Sequence, residues 1–184
     1  MLKELACDRF PRGVVPVCLR YQISIVASCS LVMEVCCSFK WIVGGICGSD
    51  SRDRKHEVQV VPLTSCTRDI TNHLASLSFS GPGNEVDLLL CRAGMFKEPH
   101  SLNIMTICPL HRGKLGVGWK RGSSRCRVPA ALSNHGKGSR KTWPMGDRGL
   151  GKQDSELVLQ KTGVFVQVGS GKILFKCWNF THWH

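Results

Sequence analysis

A chain of 184 residues has room for one domain, or for one small domain with extended flanks. Its 25 Lys and Arg against 13 Asp and Glu leave a formal charge of +12. That balance favours an acidic partner, nucleic acid or an anionic membrane surface, and says nothing of fold. Its eleven cysteines are fewer than a disulfide scaffold carries. An odd number also leaves at least one thiol unpaired in a secreted monomer, so the expectation is a reducing, intracellular setting, the nucleus first.

Residues 1–20 carry Arg9, Arg12 and Arg20 beside Pro11 and Pro16, which argues against a long regular element. From residue 21 to 47 the chain turns apolar, interrupted only by Glu34 and Lys40. Three readings are open: buried strands or helix, a membrane anchor, and a cleaved signal, ranked in that order. Ile42-Val43-Gly44-Gly45 matches the first residues of a mature trypsin-like protease. No serine-bearing loop follows to complete a triad, so that activity is rejected.

Residues 48–60 are charged and read as an exposed turn, and residues 58–63 as a short strand ended by Pro62. Residues 67–77 predict one modest helix with Thr67 as N-cap and Ile70, Leu74 and Leu77 on one face. Ser80-Gly81-Pro82-Gly83-Asn84 then breaks the chain.

Beyond that break lies the stretch richest in chemistry. Residues 86–90 and 104–107 read as short strands that deliver Cys91 and Cys108, and residues 115–119 as a third strand whose Trp119 covers the site. Cys108-Pro109-Leu110-His111 is a C-x2-H step, which lets two side chains converge on one small cation from a single turn. Cys91, Cys108, His111 and Cys126 are the expected zinc ligands, with His135 as first substitute. Four protein ligands would close the site and make it structural, and metal binding would then contribute directly to folding. Only one of the ligand pairs is tightly spaced, so the pattern is less specific than two C-x2-C pairs. Between Cys91 and His135 the only glutamate is Glu98, and no H-E-x-x-H motif occurs; a zinc enzyme is not expected.

The string Ile107-Cys108-Pro109, His111-Arg112, Leu115-Gly116, Trp119 and Cys126 resembles a pattern in uncharacterised animal proteins. Residues 163–171 resemble a second block of it, so the resemblance spans about residues 91–171. It implies a site and carries no activity.

The window from Arg112 to Lys152 holds eleven Lys and Arg against Asp147 alone. Arg112, Lys114, Lys120, Arg121, Arg125, Arg127, Lys137, Arg140 and Lys141, interleaved with Trp119, are the candidate nucleic-acid contacts: cations for phosphates and a ring for bases. Gly146-x4-Gly151-Lys152 meets most of a P-loop pattern. Gln153 stands where a magnesium-holding hydroxyl belongs, so nucleotide hydrolysis is rejected. Asp154 or Ser155 is expected to cap a short helix through Gln160. Residues 164–168 and 173–178 read as a hairpin around Gly169-Ser170-Gly171.

The expected fold is thus a small, irregular α+β domain, mainly short strands around a structural zinc site. Its segments are an apolar, cysteine-rich region (1–50), a linker with a short helix (51–84), the metal module (85–136), a basic glycine-rich linker (137–154) and a helix-and-hairpin end (155–184). The expected function is an intracellular, zinc-stabilised binding module for nucleic acid or another polyanion, not an enzyme. The alternative is a membrane-associated protein anchored by residues 21–47, with its basic half on the cytoplasmic side.

Overall fold

Asn84 breaks the sequence and then starts a helix. Its Oδ1 accepts the Asp87 N–H at 2.9 Å, and Glu85 and Asp87 place negative charge in the first turn, where the helix dipole favours it. The computed structural model describes residues 36–49, 59–133, 135 and 143–173, all within one compact unit, Glu34–His184. Among them are helices α1 (Ser38–Ile42), α2 (Thr71–Ser76), α3 (Glu85–Arg92), α4 (Pro109–Leu115) and α5 (Lys152–Thr162). With them are two-residue strands β1 (Val61–Pro62), β2 (Thr106–Ile107), β3 (Arg148–Gly149) and β4 (Gly171–Lys172) and two 3₁₀ turns, Leu63–Ser65 and Leu102–Ile104. The fold is α+β and irregular.

The strands make two separate antiparallel pairs, β1 with β2 and β3 with β4. In the first, Val61 sits opposite Ile107 and Pro62 opposite Thr106. That pair places the chain directly before Cys108 against residues 61–62. Leu63 continues it by donating its N–H to Met105 O at 2.8 Å.

The apolar side chains gather in three clusters, two of them built on α3. Leu89 and Leu90 pack with Phe39, Leu63, Ile107 and Leu115. On the other side of the helix, Leu88 and Cys91 pack with Ile70 and Val168. Cys126, Val128, Leu150, Val158 and Val166 form the third cluster under α5. A helix buried on two sides carries a wide apolar run instead of a narrow stripe, here interrupted only by Asp87, which is why residues 86–90 read as a strand. They are helical.

Other expectations also shift. The helix foreseen from Thr67 begins at Thr71, because Asp69 Oδ1 accepts both the Thr71 N–H and its hydroxyl and sets the start there. Of residues 104–107 only the last two are strand, after a 3₁₀ turn at Leu102–Ile104. Residues 115–119 are the end of α4 and a tight turn, with the Trp119 N–H donating to Gly116 O. No strand forms over residues 164–168; instead β4 pairs with β3, Arg148 opposite Lys172. Residues 174–178 lie outside the described residues, as do residues 1–35. Among the described residues no helix is long and apolar enough to cross a membrane.

Helix α5 starts one turn earlier than Asp154. Asp154 stands at its third position and reaches back, its Oδ2 accepting the Gly151 N–H at 3.0 Å. Lys152, the last residue of the P-loop-like string, ion-pairs with Asp87 at 2.5 Å. That contact ties α5 to α3.

Candidate metal centre

Pro109 occupies the first turn of α4, where its missing N–H costs nothing, and Cys108 stands at the N-cap. The Cys108 Sγ accepts the His111 N–H at 3.5 Å. One helical turn therefore brings His111 Nδ1 to 3.1 Å from Cys108 Sγ. The other half of the site comes from residues 36–48. Cys37 stands at the N-cap of α1, and its Sγ lies 3.3 Å from His111 Nδ1. The chain then turns at Gly44 and Gly45, with φ of 74° and 93°, a left-handed pair that favours glycine. The turn returns Cys47 to Cys37, Sγ to Sγ 3.6 Å, with the Cys37 N–H donating to Cys47 Sγ at 3.2 Å. The Leu110 N–H donates to Gly48 O at 3.0 Å and locks the two halves together.

The ligand atoms of Cys37, Cys47, Cys108 and His111 all lie within 4.8 Å of one another. Zinc–sulfur bonds of about 2.3 Å at tetrahedral angles set neighbouring ligand atoms roughly 3.5–3.8 Å apart, so the donor set fits such an ion with small adjustments. Cys37, Cys108 and His111 are buried and Cys47 is half-buried. The protein thus contains a Cys3His cluster able to hold a metal ion.

Electrostatics prepare one thiol more than another. Burial pushes the Cys108 thiol up, but the N–H groups of His111 and Gly48 and the neighbouring His111 and Cys37 side chains outweigh it, leaving a pKa of about 7. Cys47 moves the other way, to about 11, chiefly through burial. Cys108 is therefore the natural first thiolate at neutral pH. His111 presents Nδ1 to the thiols while Nε2 lies 3.1 Å from Gly44 O. The tautomer that suits both sides carries its hydrogen on Nε2 and donates it to that carbonyl, a common support for a metal-bound imidazole.

Two of the sequence-predicted ligands, Cys108 and His111, are brought together here. The other three are elsewhere. Cys91 lies on α3 among Ile70, Leu88 and Val168, donates its S–H to Leu88 O at 3.3 Å, and is pushed by burial to about 12. Cys126 packs with Val128, Leu150 and Val158 in the third cluster. His135 sets its ring edge-on to Trp143, centroids 4.9 Å apart, with Nδ1 3.3 Å from Ser133 Oγ. Sequence reasoning missed Cys37 and Cys47. Their signal was a Cys-x9-Cys interval enclosing Gly44-Gly45, hidden within a run read for its apolarity.

The cationic candidates divide in the same way. Arg112 makes a two-pronged bond to the buried Glu85, at 2.8 and 2.6 Å. Arg121 donates to Gly169 O and Leu77 O. Trp119 covers Arg92, not the metal cluster, its ring 4.3 Å from the guanidinium carbon, and it donates Nε1–H to Gln167. Lys114, Lys120, Arg125 and Arg127 are exposed, though Arg125 also donates to Trp143 O. Lys137, Arg140 and Lys141 lie outside the described residues. A cleft of about 760 Å³ runs past Arg125 and Arg127, with Ile42, Val43, Trp143 and Phe165 also on its walls.

No protein family, curated protein or solved structure matches this chain.

Proposed function

We propose that this protein is a zinc-stabilised binding module for a polyanionic partner. The observation that carries the zinc reading is the convergence of Cys37, Cys47, Cys108 and His111 within 4.8 Å. Three thiolates and an imidazole suit zinc over the harder cations, which prefer oxygen. Four protein ligands leave no coordination position for a reactive water, so the ion's work is structural: it fastens residues 36–48 to α4. The polyanion reading rests on the charge of +12 and on the exposed Lys114, Lys120, Arg125 and Arg127. Nucleic acid and an anionic lipid surface are the two polyanions to separate.

Zinc content of the purified full chain, measured beside Cys47→Ser, tests the first half. The expected result is one zinc per chain, lost in the variant together with the native circular dichroism. A metal-free chain that stays folded would sink it. The second half predicts binding to a single-stranded oligonucleotide or to anionic vesicles that weakens steeply with salt. Salt-independent binding would count against it.

A further inference from the structure

Residues 38–46, helix α1 and the glycine turn after it, form a segment clamped at both ends, because Cys37 and Cys47 belong to the metal cluster. One face of it is internal: Phe39 is fully buried. The apex carries large apolar side chains outward. Trp41 is 80% exposed, Ile46 72%, Val43 40% and Ile42 39%. Single exposed apolar residues are ordinary, but four within six consecutive positions make a patch that marks an interaction surface.

The loop is also held at its middle. The Gly44 carbonyl takes the hydrogen bond from His111 Nε2, on the ring edge opposite the thiols. Three anchor points, at residues 37, 44 and 47, hold the backbone that carries Trp41 and Ile46 outward.

The surroundings select the partner. Lys40 Nζ stands 5.9 Å from the Trp41 ring centre. Ile42 and Val43 share the walls of the large cleft with Arg125 and Arg127, and no carboxylate stands among its described lining residues. A tryptophan and three aliphatic side chains at an apex, with cations beside them, match the layers of an anionic bilayer. Indole belongs at the headgroup level, aliphatic groups at the acyl boundary, and cations against lipid phosphate and carboxylate. Single-stranded nucleic acid would use the rings and the cations but offers little to Ile42, Val43 and Ile46.

We propose that residues 41–46 are a membrane-docking loop that inserts into an anionic lipid surface, held outward by the zinc cluster. The proposal rests on the zinc reading for its rigidity and names the polyanion left open above. It replaces a spanning anchor with a shallow, reversible attachment.

The experiment is co-sedimentation of the full chain with phosphatidylserine-containing vesicles and with phosphatidylcholine vesicles, for wild type and Trp41→Ser/Ile46→Ser. Zinc content is measured on the same samples. Both substituted side chains face solvent, so the variant keeps its fold. The expected result is preference for the anionic vesicles, about tenfold or more weaker in the variant, with zinc unchanged. Equal binding by the variant overturns the loop and leaves the zinc reading intact. Binding to a single-stranded oligonucleotide with none to vesicles overturns it as well. Loop-dependent vesicle binding by a zinc-free chain upholds the lipid surface and sinks the zinc reading instead.

Discussion

The guanidinium of Arg92 lies 4.3 Å from the centre of the Trp119 ring, stacked on it as a buried cation on an aromatic face. Arg92 is fully buried; it donates to the carbonyls of Leu115, Gly116 and Val168 and meets His73 Nε2 at 2.9 Å. Burial lowers its pKa only to about 10, so it stays charged at neutral pH. Arg92→Met fills much of the space but strips the buried Leu115 and Val168 carbonyls of their Arg92 donor and leaves Gly116 O with the Trp119 N–H alone. The expected loss is about 2–5 kcal/mol, read from the urea midpoint. A midpoint unchanged by the substitution would show that the carbonyls find other donors.

Cysteine substitutions should sort into two groups. Cys37→Ser and Cys108→Ser remove a donor from the Cys3His cluster; under the zinc proposal, zinc content should fall to near zero with loss of the native near-ultraviolet circular dichroism. Cys91→Ser and Cys126→Ser place a hydroxyl among apolar side chains. They should keep one zinc per chain and lose about 1–3 kcal/mol of stability. Zinc loss in Cys91→Ser would return that residue to the ligand set.

Acid should weaken the fold through His73. Burial, then the Arg92 charge, hold its pKa below the ordinary value of 6.5. The unfolded chain therefore binds the proton more readily, and stability is fully present above about 6.5 and falls as the pH drops through the folded-state value. Protonation would also take away the lone pair that faces Arg92 Nη2. Melting temperature measured from pH 7.5 down to 5 should decline in the wild type and decline less in His73→Gln.

Gly169 has φ of 93°, and a Cβ there would stand 3.0 Å from the Trp119 ring and 3.2 Å from Arg92 Nη2. Gly169→Ala combines left-handed strain with pressure on that stacked pair. The expected cost is about 1–3 kcal/mol with zinc content unchanged, measured by thermal unfolding.

What the sequence revealed follows the range of each interaction. The Cys108–His111 half of the cluster was legible because a C-x2-H step is local and one helical turn completes it. Cys37 and Cys47 join it across long stretches of chain, and no spacing rule reports such a contact. Residues 86–90 hid a helix because a helix buried on two sides and a buried strand share an apolar pattern. The Asn84 cap, with Asp87 three residues on, was the available cue. The charge excess was plain in the sequence, but not that Arg112 belongs to Glu85 and Arg121 to two backbone carbonyls. Charge can be counted along the chain; its partners are set only by packing.

The division of the cluster between residues 37–47 and 108–111 also gives it an order in time. During synthesis Cys37 and Cys47 are made about 60 to 75 residues before Cys108 and His111, which at ribosomal speeds is a delay of roughly 3–15 s. Through that interval the nascent chain owns half a site. Two thiols bind zinc weakly and are open to oxidation. The local knuckle that closes the set forms last and fast, so the early half waits on the late one. A chain cut short before Cys108 would keep residues 37–47 with nothing to fasten them to.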